Sequence, residues 1–256
     1  MPQLEIHQFP CLSDNYGVLI HDGAANVTAS IDAPDAAAVR KALALKGWTL
    51  THILTTHHHA DHTDGNRPLK EATGCQIVGP GKDADRIPGI DVKVVEGDEV
   101  AFGGFKARVI ETPGHTSGHI SYWFPDAKVA FVGDTVFSLG CGRLFEGDGK
   151  LMWDSLSKVI ALPPETMLYC GHEYTQSNAR FALTVEPGNK ALQQRAREVD
   201  TLRAAGKPTL PTKLGDEMAA NPFLRPDSSE IQERLGMKGE ALWKVFAEIR
   251  KRKDNA

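Results

Sequence analysis

The feature that most constrains this chain is a cluster of metal-ligand side chains directly after a short apolar run. His57-His58-His59-Ala60-Asp61-His62 places four of the ten histidines within six positions, beside a carboxylate. The end of a strand, where a loop begins, is a common position for functional side chains in α/β proteins. In an extended turn His57 and His59 point the same way, and Asp61 and His62 lie further round the loop. This pattern favours two adjacent metal ions over one.

Three further side chains supply the remaining ligands of such a pair. His115 lies in a Pro- and Gly-rich turn, Asp134 directly follows an apolar strand, and His172 ends the last predicted strand. Two sites of three ligands each, sharing one bridging carboxylate, need five histidines and two aspartates, and the sequence supplies that set. Imidazole and carboxylate ligands suit zinc, iron or manganese. Neighbouring His58 and His119 are predicted to have packing or supporting roles.

The pattern of the remaining chain is typical of an α/β sandwich followed by helices. Short apolar or β-branched runs predict strands in the first two thirds, with a helix at 34–46 that ends before Gly47. No strand is expected from Tyr174 onwards, where helical spacing predicts helices at 189–205 and 240–253. We therefore predict a strand-rich catalytic domain, residues 1–172, and a helical substrate-binding domain, residues 173–256.

Composition excludes several classes of function. The net charge of −4 makes the chain a poor binder of nucleic acid or acidic membranes, and no apolar run approaches the length of a membrane-spanning helix. The N-terminal residues show no secretion signal, which predicts a cytoplasmic protein. The four cysteines are scattered without a C-x-x-C pair, so reduced thiols are expected rather than a cysteine site. A monomer is the default expectation.

The motifs resemble those of a known family. Thr56 to His62 matches T-H-x-H-x-D-H, the signature of the metallo-β-lactamase superfamily. Within it the chain is similar to the glyoxalase II, or hydroxyacylglutathione hydrolase, family. The similarity lies in segments 112–119, 133–135, 140–143, 169–174, 221–225 and 250–253. These segments reach nearly to the end of the chain and include the helical tail.

The resemblance implies an αββα sandwich with a binuclear centre and a C-terminal helical domain that closes over the substrate. The first metal would be held by His57, His59 and His115, the second by Asp61, His62 and His172, with Asp134 as the bridge. Two divalent ions, with zinc expected and iron or manganese as alternatives, would serve hydrolysis of S-D-lactoylglutathione to D-lactate and glutathione. That reaction is the second step of methylglyoxal detoxification.

General chemistry supports that reaction type. Two metals about 3.5–4 Å apart lower the pKa of a bridging water towards 7, and the resulting hydroxide can attack the thioester carbonyl. The leaving thiolate has a solution pKa of about 8.5, so no dedicated general acid is needed. No catalytic side chain is therefore expected beyond the metal ligands.

The resemblance also implies which residues contact glutathione, whose two carboxylates call for basic partners. The expected contacts are Arg143, Tyr174, Arg250 and Lys253. Some relatives have a tyrosine two residues after the position of Arg143, where this chain has Phe145. Loss of that hydroxyl is expected to weaken or redistribute the contacts with the glutathione backbone.

Other functions of the superfamily are less well supported by the sequence. A persulfide dioxygenase is the main alternative, but such an oxidoreductase uses a single iron and does not require both His62 and His172. A nuclease would need a basic face or an RNA-binding insertion, and a metal store would not need a glutathione-binding tail. A lactonase or β-lactamase remains open, and turnover of thioester against lactone would separate them.

Overall fold

The chain forms two compact units in a computed structural model that describes residues 3–256. The first unit extends to Glu111 and includes Thr116–Gly133, and the second comprises Thr112–His115 and Asp134–Ala256. The domain division expected at residue 172 is a different partition and stays a prediction. Residues 1 and 2 of the predicted catalytic domain lie outside the described residues.

The first unit contains ten strands and three α-helices among its described residues. In chain order they are β1 (Glu5–Cys11), β2 (Asn15–Asp22), β3 (Val27–Ile31), α1 (Ala36–Lys46), β4 (His52–Leu54), α2 (Ala60–Thr63), α3 (Asn66–Thr73), β5 (Gln76–Pro80), β6 (Val92–Val94), β7 (Glu99–Phe102), β8 (Phe105–Glu111), β9 (Ile120–Phe124) and β10 (Val129–Gly133).

These strands form two sheets that face each other. One sheet has the order β1 to β6, antiparallel from β1 to β3 and parallel from β3 to β6. Strands β7 to β10 form an antiparallel meander. The hydroxyl of the fully buried Tyr122 donates a hydrogen bond from the meander to the carbonyl of Thr55, at 2.9 Å. Because β3 and β4 are parallel, their carboxyl ends, where polar side chains follow, lie at the same edge.

The first sheet is covered on its other face by α1 and α3. Val39 and Leu43 of α1 share one buried cluster with Leu69 of α3 and with Ile53 and Ile77 of the sheet. Helix α1 forms where the sequence predicts it. The side chain of its N-cap residue Asp35 accepts the Ala38 N–H, and Gly47 ends the helix in the left-handed conformation.

The second unit is mainly helical. Its elements are β11 (Val136–Phe137), β12 (Gly140–Cys141), α4 (Gly149–Ile160), β13 (Met167–Cys170), α5 (Thr175–Val185), α6 (Lys190–Ala204), β14 (Thr212–Lys213), α7 (Leu214–Ala220), α8 (Ser229–Leu235) and α9 (Leu242–Asp254). Its aromatic core includes Phe223, whose ring lies 6.0 Å from Phe181 and 6.2 Å from Phe246 between centroids. Strands β11 and β12 form a small hairpin directly after Asp134.

The tail contains a strand that the sequence pattern does not predict. No strand was expected after Tyr174, yet β14 pairs antiparallel with β13. A two-residue strand has no periodicity to detect, and it is defined only by its pairing of Leu168 with Thr212 and of Met167 with Lys213. Strand β1 was not predicted either, because its two buried residues, Phe9 and Cys11, are too few to give a clear apolar alternation. None of the helices in the described part of the chain is long and apolar enough to cross a membrane.

Candidate metal centre

The histidine cluster lies at the carboxyl end of β4, where the chain turns into the short helix α2. His57 and His62 are fully buried, His59 is partly buried, and the Asp61 side chain is 42 % exposed. The cluster is therefore mostly shielded from water, with its carboxylate at the open side. Burying several imidazoles together is unfavourable unless their polar atoms are satisfied.

The spacing of the donor atoms suits a shared metal ion. The Nε2 atom of His57 lies 3.2 Å from the Nδ1 atom of His59, with the two rings nearly perpendicular. Two nitrogen ligands at 2.0–2.1 Å from one tetrahedral ion are about 3.3 Å apart. The ring of His62 lies 4.1 Å from that of His57 between centroids. These residues fit the metal ligation that the sequence predicts.

Asp32, which the sequence analysis did not identify, orients two of these histidines. Its carboxylate accepts hydrogen bonds from the Thr56 N–H at 2.7 Å, from the Thr56 hydroxyl at 2.8 Å and from Nδ1 of His62 at 2.8 Å. The Thr56 oxygen in turn lies 3.0 Å from Nδ1 of His57. Because both Nδ1 atoms then carry the proton, both Nε2 atoms keep a lone pair for a metal. Asp32 is thus better placed to orient ligands than to be one.

Asn15 is a second supporting residue that the sequence analysis missed. It is buried at the start of β2, and its side-chain N–H groups donate to Oδ2 of Asp61 at 3.0 Å and to the Asp61 carbonyl at 3.1 Å. These bonds hold the carboxylate of α2 in one orientation. The sequence does contain a signal for Asp32, because this aspartate directly follows strand β3 in the same way that Asp134 directly follows strand β10. For Asn15 nothing in the local sequence indicates the role.

His58 and His119 contact the cluster from outside the predicted ligand set. Nδ1 of His58 lies 3.1 Å from Asp83, and Arg86 contacts its Nε2. The ring of His119 stacks on His57 at 4.8 Å between centroids. These contacts agree with the packing and supporting roles expected from the sequence.

We predict that Asp32→Asn weakens metal binding about 10- to 100-fold, the range found when such supporting residues are lost. The amide places a donor where Asp32 accepts from Thr56 and His62, so the Nε2 lone pairs are no longer fixed. The measurement is competition for zinc against a chelator of known affinity. Asp22→Asn is the matched control, because Asp22 is equally buried in the same unit and accepts backbone N–H groups instead. Equal zinc affinity in the two variants would contradict the orienting role.

In the second unit, Asp134 lies between two histidines. Its Oδ2 atom is 3.4 Å from Nε2 of His115 and 3.3 Å from Nε2 of His172, and all three residues are buried. Nδ1 of His115 lies 2.8 Å from the carbonyl oxygen of Arg143, which can only accept, so this nitrogen carries the proton. The other nitrogen of His115 then faces the carboxylate, so its lone pair and the Asp134 Oδ2 atom would both be available to a shared cation. The chemistry of this donor set fits a divalent metal.

Aromatic side chains flank this second group of ligands. The ring of Tyr174 stacks on His172 at 4.7 Å with an angle of 3° between the planes, and Phe137 contacts both rings edge-on. Phe145 is 62 % exposed and lies 5.3 Å from the ring of His115. Phe145, at a position where some relatives have a tyrosine, therefore lies beside the predicted metal ligand His115, and its ring lacks the phenol hydroxyl.

The predicted glutathione contacts differ in exposure. Arg143 is exposed, Tyr174 is 37 % exposed and Lys253 is partly buried, with its ammonium 3.2 Å from the Ser177 hydroxyl. Arg250 is buried. Its guanidinium donates to the Cys141 carbonyl at 2.9 Å and pairs with Asp254 at 2.9 Å. Arg250 therefore fixes the hairpin that precedes Arg143, and its role as a direct contact stays a prediction.

The cysteines are poorly suited to chemistry. All four are buried with free thiols, and burial raises the pKa of Cys11 to about 12 and that of Cys141 to about 11. The thiolate is the reactive form, so these groups stay unreactive at neutral pH.

Comparisons with known proteins define the class. The family model of the metallo-β-lactamase superfamily matches residues 29–172, and the hydroxyacylglutathione hydrolase C-terminus matches residues 173–256. Among solved structures, ETHE1 from Myxococcus xanthus aligns with a TM-score of 0.70 at 29 % identity, covering 96 % of this chain and 90 % of that one. The BLEG-1 B3 metallo-β-lactamase, at 22 % identity and a TM-score of 0.66, covers 86 % of this chain and 100 % of its own, and supports the fold alone. The αββα metallo-β-lactamase fold with a C-terminal helical domain is confirmed.

Curated relatives narrow the class further. The hydroxyacylglutathione hydrolase of Brucella anthropi is 59 % identical over 253 residues, covering 99 % of this chain and 97 % of the relative. That of Brucella ovis is 60 % identical over 252 residues, covering 98 % of each. The chain belongs to the hydroxyacylglutathione hydrolase family, as its motifs predicted.

Proposed function

We propose that the protein is a metal-dependent thioester hydrolase that converts S-D-lactoylglutathione and water to D-lactate and glutathione. The observation that carries the proposal is about 60 % identity to hydroxyacylglutathione hydrolases over nearly the whole chain, including the helical tail. The buried His/Asp groups of both units supply the donors that a binuclear divalent site of this fold requires.

The ligand assignment is part of the proposal. His57, His59 and His115 would hold one ion, Asp61, His62 and His172 the other, and Asp134 would bridge them. Support comes from the donor spacing within each unit and from the tautomers fixed by Asp32 and the Arg143 carbonyl. When bound, such ions supply a hydrolytic nucleophile at neutral pH and Lewis-acid polarisation of a carbonyl. Zinc is the proposed metal, with iron and manganese as alternatives.

The protein's own side chains then have the task of binding and orienting the substrate. Tyr174 stacks on His172 and is 37 % exposed, so it is available to contact the substrate. Arg143 and Lys253 present positive charge to the carboxylates of glutathione, and Arg250 fixes the hairpin before Arg143. No proton donor is required for the thiolate leaving group. The cytoplasmic location and monomeric state stay predictions from the sequence.

The test is the rate of S-D-lactoylglutathione hydrolysis, followed by loss of thioester absorbance. We expect turnover that falls at least about 100-fold after removal of metal by a chelator and returns when zinc is added back. A chelator already saturated with zinc is the control. Folded, metal-loaded protein without turnover would contradict the proposal, and oxygen uptake with glutathione persulfide would then test the dioxygenase alternative.

A further inference from the structure

The second unit contains a cationic pocket that is lined by none of the predicted metal ligands. The cavity measures about 490 Å³ and is lined by residues of α5, α8 and the end of α9. Its charged lining residues are Arg180, Arg234, Arg252 and Lys253, above an apolar floor that includes the buried Phe181. The Lys253 ammonium lies 5.4 Å from the centroid of the Phe181 ring. A pocket of this kind suits an anionic ligand with some apolar surface.

Within the described residues, three of these four cations have no acidic partner. Arg252 is paired with Glu248 at 2.8 Å, and Arg234 donates to the carbonyl of Thr184 at 3.2 Å. Within residues 3–256, neither Arg180 nor Lys253 forms an ion pair with a carboxylate. Arg180 is exposed on α5, so its guanidinium is accessible to a ligand. Arg180 is therefore available to form a bidentate pair with a carboxylate of a bound ligand.

The pocket is electrostatically continuous with the predicted substrate contacts. Burial lowers the pKa of Lys253, and the nearby positive charges of Arg250, Arg143 and Arg180 lower it further. The charge of Lys253 therefore interacts both with Arg143 and Arg250, which are predicted to contact glutathione, and with Arg180, which has no assigned role. A positive potential produced by several cations favours a ligand with more than one negative charge.

Arg180 lies on the helix that begins beside a predicted metal ligand. Helix α5 begins at Thr175, directly after Tyr174, whose ring stacks on His172. Arg180 lies six residues after Tyr174, or about 9 Å along a helix axis at 1.5 Å per residue. Cysteine is the middle residue of glutathione, so a carboxylate at either end lies about two residue lengths, or about 7 Å, from the residue that carries the sulfur. The remaining few ångströms lie within the length of an arginine side chain, so a glutathione whose sulfur lies near His172 can present one carboxylate to Arg180.

We propose that Arg180 binds one of the two carboxylates of the glutathione moiety in this pocket, leaving the other to Arg143. Arg180 is then a specificity-determining residue that selects glutathione thioesters over thioesters without the tripeptide. The inference rests on the proposed function and adds a residue and a pocket to it.

The test compares two substrates, S-D-lactoylglutathione and the lactoyl thioester of N-acetylcysteamine, which has no carboxylate. Arg180→Gln should raise KM for the glutathione thioester about 10-fold, the effect of losing one charged hydrogen-bonded contact. The ratio of kcat/KM for the two substrates should fall by the same factor. Arg180→Lys keeps the positive charge but loses the planar guanidinium that forms two parallel hydrogen bonds. It should therefore restore part of the preference for the glutathione thioester.

Arg197→Gln is the matched control, because Arg197 is an exposed arginine on α6 of the same unit and lies outside the pocket. It should leave both substrates unchanged. If the wild-type protein hydrolyses S-D-lactoylglutathione but Arg180→Gln keeps KM within twofold of wild type, the pocket assignment is overturned and the proposed function stands. If the wild-type protein hydrolyses neither thioester, the proposed function and this inference fail together.

Discussion

Replacing Asp134 by asparagine is expected to reduce thioester hydrolysis at least about 1000-fold while the protein stays folded. The Oδ2 atom of Asp134 lies within 3.4 Å of the Nε2 atoms of both His115 and His172. A neutral amide has nearly the same shape but cannot neutralise two bound cations. The measurement is the rate with S-D-lactoylglutathione together with the metal content of each chain.

The same variant must keep its fold for this result to be informative. Circular dichroism and the midpoint of thermal unfolding should resemble those of metal-free wild-type protein. Asp22→Asn, a change at a buried carboxylate of the first unit, should retain both activity and bound metal. Full activity in Asp134→Asn would exclude Asp134 as the bridging ligand.

The second large effect is expected at Glu217, which is fully buried in α7. Its carboxylate accepts hydrogen bonds from the Leu139 N–H at 2.7 Å, from the Ser138 hydroxyl at 2.8 Å and from the Thr212 hydroxyl at 2.6 Å. The Asn221 side chain donates to it at 3.0 Å and also holds the hairpin carbonyls. Glu217 thus organises the hairpin that follows Asp134.

Glu217→Ala should lower the free energy of unfolding by about 3–5 kcal/mol, because several buried donors lose their acceptor at once. Urea unfolding of the metal-free protein measures this without a contribution from metal binding. Glu230→Ala is the control, since Glu230 is a partly exposed helix residue that accepts the exposed Gly188 N–H. A loss below about 1 kcal/mol in Glu217→Ala would contradict the role of this network.

Glu217 should also make the free energy of unfolding depend on pH. Burial raises the pKa of Glu217 above its ordinary value of 4.5, although hydrogen bonds from Thr212, Leu139, Ser138 and Asn221 oppose the shift. A raised folded-state pKa gives stability that is fully present below the unfolded pKa and is lost as the pH rises through the folded pKa. The stability of wild type relative to Glu217→Gln should therefore decrease as the pH rises from 4.5.

The sequence predicted the parts of the molecule that depend on local patterns. The helix at 34–46 appears as α1 because Asp35 and Gly47 mark its ends, and the histidine cluster follows β4 as its apolar run indicated. Features that depend on distant partners could not be predicted. Arg250 is buried against the carbonyl of Cys141, 109 residues away, and Asn15 contacts Asp61 across 46 residues.

The most direct test of the central claim is a zinc titration of the metal-free protein that records bound metal and hydrolysis of S-D-lactoylglutathione together. We predict that activity rises until two ions are bound per chain and that Asp134→Asn never reaches this stoichiometry in an active form. Full activity with a single ion bound, or activity that does not change with bound metal, would contradict a binuclear thioester hydrolase.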